Sequence, residues 1–407
     1  MSRYPDGLDL RRPQSRGMQR VAIAGIGTTK FSRSSGLSEL QLAVQAITNA
    51  MQDAGLDLGS IDGIVRFTAD SNKESTLVNA LGLPDLRFFA EVGYGGMAAA
   101  GSIAVARAAV ASGQARCVVC FRAMNGRSGL RFGRGERTLR AEDDQIAYAD
   151  GERTFGSALT GPYGLLSPSQ LMGMWAHRYA HTFAISHEKL TRTLAEVAIV
   201  QREYSHRNEN AVLGQKALSL DDYMSSRMIA SPLRLNDFCI EIDGGVAIIV
   251  TAMDLARDAS RKPVEILAAN QALKPQGDTP ALYSDSIERH APSAARDIFA
   301  VAGIEPADIN VAALYDATSV MVPMLLEDLG FCSRGEAADF ILSGETKIDG
   351  MLPTNTHGGM LSEGYLHGMN NALEVVRQIR GEAANQVAGA RLGLFSVGYG
   401  SVLLGAV

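Results

Sequence analysis

The chain carries the segment Ala54-Gly-Leu-Asp-Leu-Gly-Ser-Ile-Asp62, and the same pattern returns without gaps as Ala302-Gly-Ile-Glu-Pro-Ala-Asp-Ile-Asn310. Each copy follows an alanine-rich stretch of helical character and precedes an apolar run that is typical of a β-strand. The two copies lie about 250 residues apart, which is far too long a period for a solenoid of short repeats. The repeat therefore predicts a duplicated α/β domain.

Other landmarks recur around the two copies. A β-type run opens each half, at residues 20–25 and 262–267. Later in each half a glycine pair, Gly95-Gly96 and then Gly358-Gly359, is expected to open a helix of small residues, with another strand after it. Strands that alternate with helices favour a layered α/β architecture.

The domain organisation follows from these landmarks. Residues 1–17 are polar and lack an apolar signal core, so we expect a disordered leader. We predict an N-terminal half over residues 18–255 and a C-terminal half over residues 256–407. The first half includes a long insertion at about 124–235, and insertions of this kind usually build binding surfaces.

Composition narrows the class of protein. The chain has 407 residues, of which 46% are hydrophobic and 20% are charged, as in an ordinary soluble globular protein. Its formal net charge of -6 argues against a nucleic-acid partner, which would require a basic surface. No apolar run reaches the roughly 18 residues that a membrane span requires. We therefore expect a cytoplasmic protein that binds neither nucleic acid nor membrane.

Two motifs suggest other functions but are incomplete. Cys117-x-x-Cys120 lies in a strand-like run and has no second cysteine pair, which favours buried strand cysteines over a metal or redox site. Gly25-x-Gly27 follows a strand, but the third glycine of a dinucleotide fingerprint is replaced by Lys30. We predict no metal and no nicotinamide cofactor.

A family resemblance becomes visible near the C-terminus, in Asn355-Thr-His-Gly-Gly-Met-Leu-Ser-Glu-Gly364-Tyr365-Leu-His-Gly368. This stretch resembles the thiolase segment in which two glycines lead into Gly-His-Pro, and the histidine of that family falls on Tyr365. Upstream, Ala313-Leu-Tyr315-Asp316 resembles the family's His-Asp or Asn-Glu segment, and its polar catalytic residue falls on Tyr315.

The two thiolase cysteines are replaced. The position of the nucleophilic cysteine falls on Gly96, and the position of the second cysteine falls on Ser396. An enzyme that must form an acyl-cysteine cannot work with these residues.

The order of landmarks from about residue 19 to the end resembles the thiolase superfamily, and more closely its lipid-transfer-protein-like branch. This resemblance implies a five-layered αβαβα fold of two duplicated βαβαβαββ halves, and a homodimer that pairs the first-half sheets. Supporting segments are Asn208-Glu-Asn-Ala211, Ser231-Pro-Leu233 and Asp243-Gly-Gly245.

Within that branch, the tyrosine pair and the lost cysteine resemble the bacterial aldolases that shorten steroid side chains. The resemblance implies retro-aldol cleavage of a β-hydroxyacyl-CoA to a 17-ketosteroid and propionyl-CoA. Coenzyme A then belongs to the substrate, and no separate cofactor is expected. It also implies a small zinc-ribbon/OB-fold partner that binds the dimer to form a heterotetramer.

Two tyrosines suit this chemistry, because a retro-aldol reaction requires a base and an acid but no nucleophile. We assign Tyr365 as the base at the hydroxyl and Tyr315 as the acid at Cα, and the reverse assignment stays open. Gly96 leaves room for a bulky tertiary alcohol, and its N–H lies near a helix N-terminus that favours an enolate oxygen.

Other residues are candidates for supporting roles. Free tyrosine titrates near pH 10, so a tyrosine base requires a lowered pKa or a proton relay. His357, His367 and Asp316 are the nearest candidates in sequence for such a relay, although a carboxylate such as Asp316 more often orients the backbone than carries a proton. Gly359, Gly400 and the two histidines complete the predicted substrate and oxyanion site.

Two other functions remain open from the sequence. The chain is alternatively a non-catalytic acyl-CoA or sterol-binding protein, in which the tyrosines serve packing alone. It is also interpretable as a thiolase-like subunit for another acyl-CoA, completed by a partner chain. A thiolytic subunit would need a new nucleophile, and neither Cys239 nor Cys332 lies in a matching motif.

Overall fold

The computed structural model describes residues 19–93, 98–129, 161–165, 167–272 and 297–407. The predicted leader at residues 1–17 lies outside these ranges. The described elements of the first half before the insertion are β1 (Val21–Thr28), α1 (Glu39–Ala54), β2 (Gly63–Phe67), α2 (Glu74–Leu81), β3 (Phe88–Val92), α3 (Ala98–Ala111) and β4 (Cys117–Asn125). Both Gly25 and Gly27 lie inside β1, and not in a loop after it as a phosphate-binding turn would require.

The described part of the insertion is mainly helical. It contains α4 (Pro168–Thr182), α5 (His187–Ser205), α6 (Leu220–Ser225) and the short strands β5 (Met228–Ala230) and β6 (Leu233–Arg234). The chain then returns to the first half with β7 (Asp243–Ala252) and α7 (Met253–Arg257). The proposed boundary between residues 255 and 256 falls within α7.

The second half repeats this order with changes in its middle. Its elements are β8 (Val264–Gln271), α8 (Ile298–Ala302), β9 (Val311–Leu314), α9 (Met321–Asp328), α10 (Ala337–Leu342), α11 (Gly359–Ser362), α12 (Met369–Arg380), β10 (Leu392–Ser396) and β11 (Gly400–Ala406). Of the helices in the described ranges, none combines the length and the apolar character that crossing a membrane demands.

The repeated segment has the same local structure in both halves. Helices α1 and α8 end at Gly55 and Gly303, whose φ angles of 67° and 71° are left-handed and therefore favour glycine. Each glycine leads through one turn of 3-10 helix into the next strand, β2 or β9. At the start of α1, Ser38 and Gln41 form the capping box that the sequence suggests. The predicted duplication is confirmed at this level.

Nine of the described strands form one mixed sheet, in the order β3-β2-β4-β7-β1-β8-β11-β10-β9. The two halves meet where β1 pairs antiparallel with β8, and the order on one side of this seam mirrors the order on the other. The second-half counterpart of β3 is a single parallel bridge between Ala312 and Thr354.

Helices cover the sheet in layers. Helix α1 packs on β1, β4 and β7, whereas α3 and α12 contact strands of both halves, and α8 contacts β8 and β11. The layers run from α1 through the first-half strands to α3 with α12, and on through the second-half strands to α8. Gly27 allows the close approach of α1, since a Cβ there would lie 2.2 Å from the Ala46 carbonyl oxygen.

One sequence prediction about the second half is only partly right. Gly358-Gly359 opens a helix, but α11 has one turn and the long helix α12 begins at Met369. Between them, Gly364, His367 and Gly368 adopt positive φ angles of 157°, 55° and 79°, which a continuing helix cannot accommodate. A short connection at residues 363–368 is the result, and we call it the catalytic turn after the role predicted for Tyr365.

Candidate active site

Tyr315 follows the end of β9 and is held from two sides. Its backbone N–H donates to the Ser396 carbonyl oxygen at 2.9 Å, at the position of the second thiolase cysteine. Its ring lies against Gly368, where a Cβ would be 3.0 Å from Tyr315 Cδ2. The side chain is 7% exposed, so its hydroxyl is placed by packing and has little freedom to turn to solvent.

Tyr365 lies in the catalytic turn and is half-buried. Its backbone N–H donates to the Ile240 carbonyl oxygen at 2.9 Å, and it forms an isolated parallel bridge with Glu241. The segment between the insertion and β7 therefore positions the catalytic turn. The hydroxyl oxygens of Tyr315 and Tyr365 lie 3.1 Å apart, so the structure brings the two predicted residues together.

Burial controls the proton on Tyr315. The pKa of Tyr315 is raised well above its usual value of 10.0, chiefly because burial disfavours the phenolate, with further increases from Tyr365, Cys239 and Asp316. Tyr315 therefore keeps its proton at neutral pH.

His367 lies beside the pair, as the sequence suggests, but it also contacts groups that the sequence analysis did not identify. Its ring meets the Tyr365 ring edge-on, with centroids 5.0 Å apart and an interplanar angle of 87°. Its Nδ1 accepts a hydrogen bond of 2.9 Å from Arg122 Nε. Arg122 in turn forms a buried ion pair of 2.7 Å with Asp70.

His357 belongs to a buried polar network behind the site. Its Nε2 lies 3.2 Å from Asn371 Oδ1 and 3.6 Å from Glu363 Oε2. Burial lowers the pKa of His357 to about 4 and raises the pKa of Glu363, so each charged form is disfavoured. The hydrogen bonds that the structure gives this imidazole do not reach either tyrosine. The predicted place of His357 in a tyrosine relay therefore stays a prediction.

Asp316 is a buried carboxyl group that orients the backbone. Its Oδ1 accepts from Asn371 Nδ2 at 3.1 Å and its Oδ2 accepts from the Leu361 N–H at 3.3 Å. Burial raises the pKa of Asp316 to about 7, opposed by these hydrogen bonds. Gly359, at φ 59°, makes room for this carboxyl group, since a Cβ there would lie 2.2 Å from Asp316 Oδ2.

Gly400 and Gly96 were predicted to lie at the enolate end of the site. Gly400 opens β11 and packs against the first turn of α3, where an added Cβ would be 3.1 Å from Ala100 Cβ. Gly96 lies outside the described residues. Ser396, at the former cysteine position, accepts a hydrogen bond of 2.9 Å from the Ser401 hydroxyl.

Neither Cys239 nor Cys332 is a ready nucleophile. Burial raises the pKa of Cys239, with a smaller increase from Asp316, and burial also raises the pKa of Cys332, to about 12. Across the ranges that the structure describes, no three His, Cys, Asp or Glu side chains are grouped as metal ligands.

Comparisons with known proteins show the family of this chain. A family model described as thiolase C-terminal domain-like matches residues 279–406. The steroid side-chain-cleaving aldolase of Thermomonospora curvata is 43% identical, with 90% of this chain and 92% of that protein covered. The 17-hydroxy-3-oxo-4-pregnene-20-carboxyl-CoA lyase of Mycobacterium tuberculosis is 40% identical, with 94% and 97% covered. This chain belongs to the thiolase superfamily, in its aldolase subgroup.

A solved structure supports the same family at the level of the fold. The Ltp2-ChsH2(DUF35) aldolase has a TM-score of 0.87 and 39% identity, covering 96% of this chain and 98% of that one. The thiolase fold and the resemblance to the aldolases are both confirmed.

The sequence analysis did not identify Arg122, which contacts His367 directly, or Asp70, which contacts it through Arg122. The available signal was an arginine inside the apolar strand segment Cys117-Val-Val-Cys-Phe-Arg122, because a charge in a buried strand requires a partner. The sequence does not say which carboxylate supplies it. Asn208, in contrast, lies in a segment that the resemblance singled out, and its Nδ2 donates to Glu363 Oε1 at 2.9 Å.

Proposed function

We propose that this chain is a carbon–carbon lyase that cleaves a steroid β-hydroxyacyl-CoA by a retro-aldol reaction. The substrate is a 17-hydroxy steroid with a three-carbon coenzyme A side chain, and the products are a 17-ketosteroid and propionyl-CoA. The observation that carries the proposal is the pair of tyrosine hydroxyls 3.1 Å apart, in a site where serine and glycine replace the thiolase cysteines. The names of the two similar proteins from T. curvata and M. tuberculosis support the substrate class.

The reaction moves one proton at each end and requires no redox change. A base removes the proton of the β-hydroxyl, the Cα–Cβ bond breaks, and its electron pair moves to the thioester as an enolate. The oxygen at Cβ becomes the ketone of the departing steroid. An acid then donates a proton to Cα, which gives the shortened acyl-CoA. Two proton-transfer groups that face one substrate are sufficient.

Burial supports one assignment of the two roles. Tyr315 is almost fully buried and its pKa is raised, so it holds a proton and suits the acid at Cα. Tyr365 is half-buried and lies in the catalytic turn, so it suits the base at the hydroxyl. The hydrogen bond between the hydroxyls lets a proton gained by one tyrosine reach the other, which resets the pair after each cycle.

We place the enolate oxygen at the N-terminal end of α3. Gly96 precedes this helix in sequence, and Gly400 packs against its first turn. Backbone N–H groups at a helix N-terminus favour negative charge, which builds up on this oxygen as the bond breaks. His357 and Gly359 then support the site from behind, through Asn371 and Asp316.

The working form is proposed to be a homodimer with a second component. Strand β3 lies at the edge of the sheet, and Phe89 on it is 66% exposed, as expected of a strand that pairs with another copy. The solved aldolase carries ChsH2(DUF35) in its name, which supports a DUF35-type partner here. That this partner is a small zinc-ribbon/OB-fold protein, and that the assembly is a heterotetramer, are proposed from the family resemblance. Coenzyme A thioesters are intracellular metabolites, so we retain the expected cytoplasmic location.

The decisive test is turnover in the presence of the partner. The chain is co-expressed with a DUF35-type protein and given a 17-hydroxy steroid with a three-carbon acyl-CoA side chain. We expect propionyl-CoA and the 17-ketosteroid in equal amounts by mass spectrometry, without free coenzyme A. Tight binding of the thioester without any product would instead favour the non-catalytic binding protein. Release of free coenzyme A would favour a thioester-cleaving enzyme.

A further inference from the structure

The ion pair of Arg122 and Asp70 is buried to an unusual degree. The two side chains are 2% and 0% exposed, and Arg122 Nη1 lies 2.7 Å from Asp70 Oδ2. The same Oδ2 also accepts the Ala123 N–H at 3.0 Å, which fixes the carboxylate on β4. A buried pair contributes little net stability, because the loss of hydration offsets the attraction. Its presence beside the tyrosines therefore calls for another explanation.

The guanidinium group also restricts the protonation of His367. A guanidinium has donors only, so the 2.9 Å bond from Arg122 Nε to His367 Nδ1 requires a lone pair on Nδ1. The ring proton must then lie on Nε2. Adding a proton to Nδ1 would break this bond and place two cations in contact inside the protein.

The imidazole is held in place as well as in one protonation state. His367 has a left-handed backbone at φ 55°, which is unfavourable for a residue with a side chain. Phe67 on β2 meets its ring at 6.0 Å between centroids, and Tyr365 meets it edge-on at 5.0 Å. A rotation of the imidazole would therefore move the Tyr365 ring, and with it the hydroxyl that bonds to Tyr315.

We infer that Arg122 is a positioning residue for the tyrosine pair: anchored by Asp70, it keeps His367 uncharged with its proton on Nε2, and so fixes the ring against which Tyr365 packs. A consequence concerns the relay that the sequence suggests. In this state Nδ1 is occupied and Nε2 already carries a proton, so His367 cannot take the proton from Tyr365. His367 orients the base and is not itself the next proton acceptor.

Charged and titratable groups approach the imidazole from at least three elements. Among the described residues, Arg122 faces it from β4, Asp70 acts through Arg122 from the connection after β2, and Tyr365 faces it from the catalytic turn. Phe67 on β2 adds an apolar face. The kinetic part of the inference rests on the proposed function, whereas the protonation of His367 does not.

Nitrogen NMR on the full chain labelled with ¹⁵N-histidine tests the protonation directly. His367→Gln assigns the His367 signals. We expect the wild type to show one bare ring nitrogen and one N–H nitrogen for His367, unchanged between pH 8 and pH 5. In Arg122→Met the same signals should shift with pH as those of an ordinary histidine do. A wild-type His367 that titrates normally, or an Arg122→Met variant without any change, overturns the inference.

Two further variants keep this test clear if Arg122→Met folds poorly. Asp70→Asn combined with Arg122→Met leaves no buried carboxylate unpaired and should give the same titration of His367. Arg66→Met is the matched control, because Arg66 is also largely buried and ion-paired, with Glu74 and Glu91, but makes no contact with the imidazole. It should leave the His367 signals as they are in the wild type.

The kinetic readout is the pH profile of kcat for retro-aldol cleavage. Misplacement of Tyr365 should lower kcat of the Asp70→Asn/Arg122→Met double variant about 10- to 100-fold with little change in KM. The variant should also lose activity on the acid side, where His367 becomes charged, whereas the wild type should not. A uniform loss of kcat with an unchanged profile would mean that the ion pair is only structural. If the wild type gives no product, the proposed function fails, while the NMR result still decides the state of His367.

Discussion

The two halves share an order of elements but differ after their third strand. In the first half, β3 precedes α3, which runs without interruption from Ala98 to Ala111. In the second half, the counterpart of β3 is a single bridge at Thr354, and the helix is split into α11 and α12. The catalytic turn between α11 and α12 carries Tyr365 and His367.

The two halves contribute different parts of the candidate site. The second half supplies both tyrosines, on a strand end and on a turn where the helix is interrupted. The first half supplies the ion pair of Arg122 and Asp70, which lies on and beside regular strands. The proposed reacting groups thus come from the irregular half, and the groups proposed to hold them come from the regular half.

The largest expected effect is on the reacting pair itself. Tyr315→Phe and Tyr365→Phe should each lower kcat by about 10²- to 10⁴-fold, because each removes one proton-transfer group. The free energy of unfolding should change by less than ~1.5 kcal/mol, the usual net value of one hydrogen bond. Product formation is followed by mass spectrometry and stability by urea unfolding.

Tyr204→Phe is the control for these variants. Its hydroxyl is also buried and bonded, but to the Thr346 carbonyl oxygen and not to either tyrosine of the pair. It should retain the wild-type kcat. If all three variants were equally active, the hydroxyls of Tyr315 and Tyr365 would matter no more for turnover than that of Tyr204.

A glycine of the split segment should be more sensitive than one at an ordinary helix end. Gly359→Ala should lower the free energy of unfolding by about 2–4 kcal/mol, since its φ of 59° is strained for alanine and its Cβ would push against Asp316. Gly381→Ala, at φ 82° with no atom within 4 Å of its Cβ, should cost only about 1–2 kcal/mol. Urea unfolding of both variants checks the difference, and equal costs would contradict the packing argument.

The free energy of unfolding should depend on pH through two groups of the buried polar network in the second half. The pKa of Asp316 is raised from 3.8 to about 7, so the folded state binds its proton more tightly and stability falls as pH rises from about 4 to 7. The pKa of His357 is lowered from 6.5 to about 4, so its contribution to stability rises with pH across that window. The two slopes oppose each other in the wild type.

Substituting either Asp316 or His357 should therefore leave the pH dependence that the other group causes. Relative to the wild type, Asp316→Asn should gain stability as pH rises from about 4 to 7, by at most ~1.4 kcal/mol per pH unit. His357→Gln should show the opposite sign between about pH 4 and 6.5. Urea unfolding at several pH values measures both slopes, and parallel curves for the three proteins would show that neither group titrates in this way.

The smallest expected effect compares two residues that each precede a helix, one with a capping bond and one without. Ser38→Ala removes the cap of α1 and should lower the free energy of unfolding by about 1 kcal/mol. Asp297→Ala, at the residue before α8, should change it by less than ~0.5 kcal/mol, because that side chain makes no capping bond. Thermal unfolding of the two variants is sufficient, and a larger loss for Asp297→Ala would reverse this comparison.

The sequence predicted what is repeated or local. The segments that end at Asp62 and Asn310 revealed the duplication because glycine caps and strand starts depend on nearby residues. The tyrosine pair was predicted because two matched segments of one family both carried tyrosine. The structure brings the two hydroxyls into contact, whereas the chemistry assigned to them stays a prediction.

The groups behind the pair were not predictable for a physical reason. Arg122 lies 52 residues from Asp70 and 245 residues from His367, and no periodicity relates such distant positions. The interruption of the second helix was easier to predict from the sequence. Gly364 and Gly368 lie on either side of Tyr365, and glycines at this spacing disfavour a continuous helix. Only the folded chain shows that an imidazole with a left-handed backbone fills the turn.

The seam between the halves also determines when the protein can fold during synthesis. Strand β1 is made early, yet both of its neighbours, β7 and β8, come from far along the chain. The roughly 200 residues that separate β1 from β7 take ~10–40 s to translate at ~5–20 residues per second. During that interval β1, β2 and β4 emerge before β7, the strand that lies between β4 and β1 in the sheet. Their unpaired edges can then form wrong pairs. The nascent first half is therefore the part of this chain with the greatest need for a chaperone.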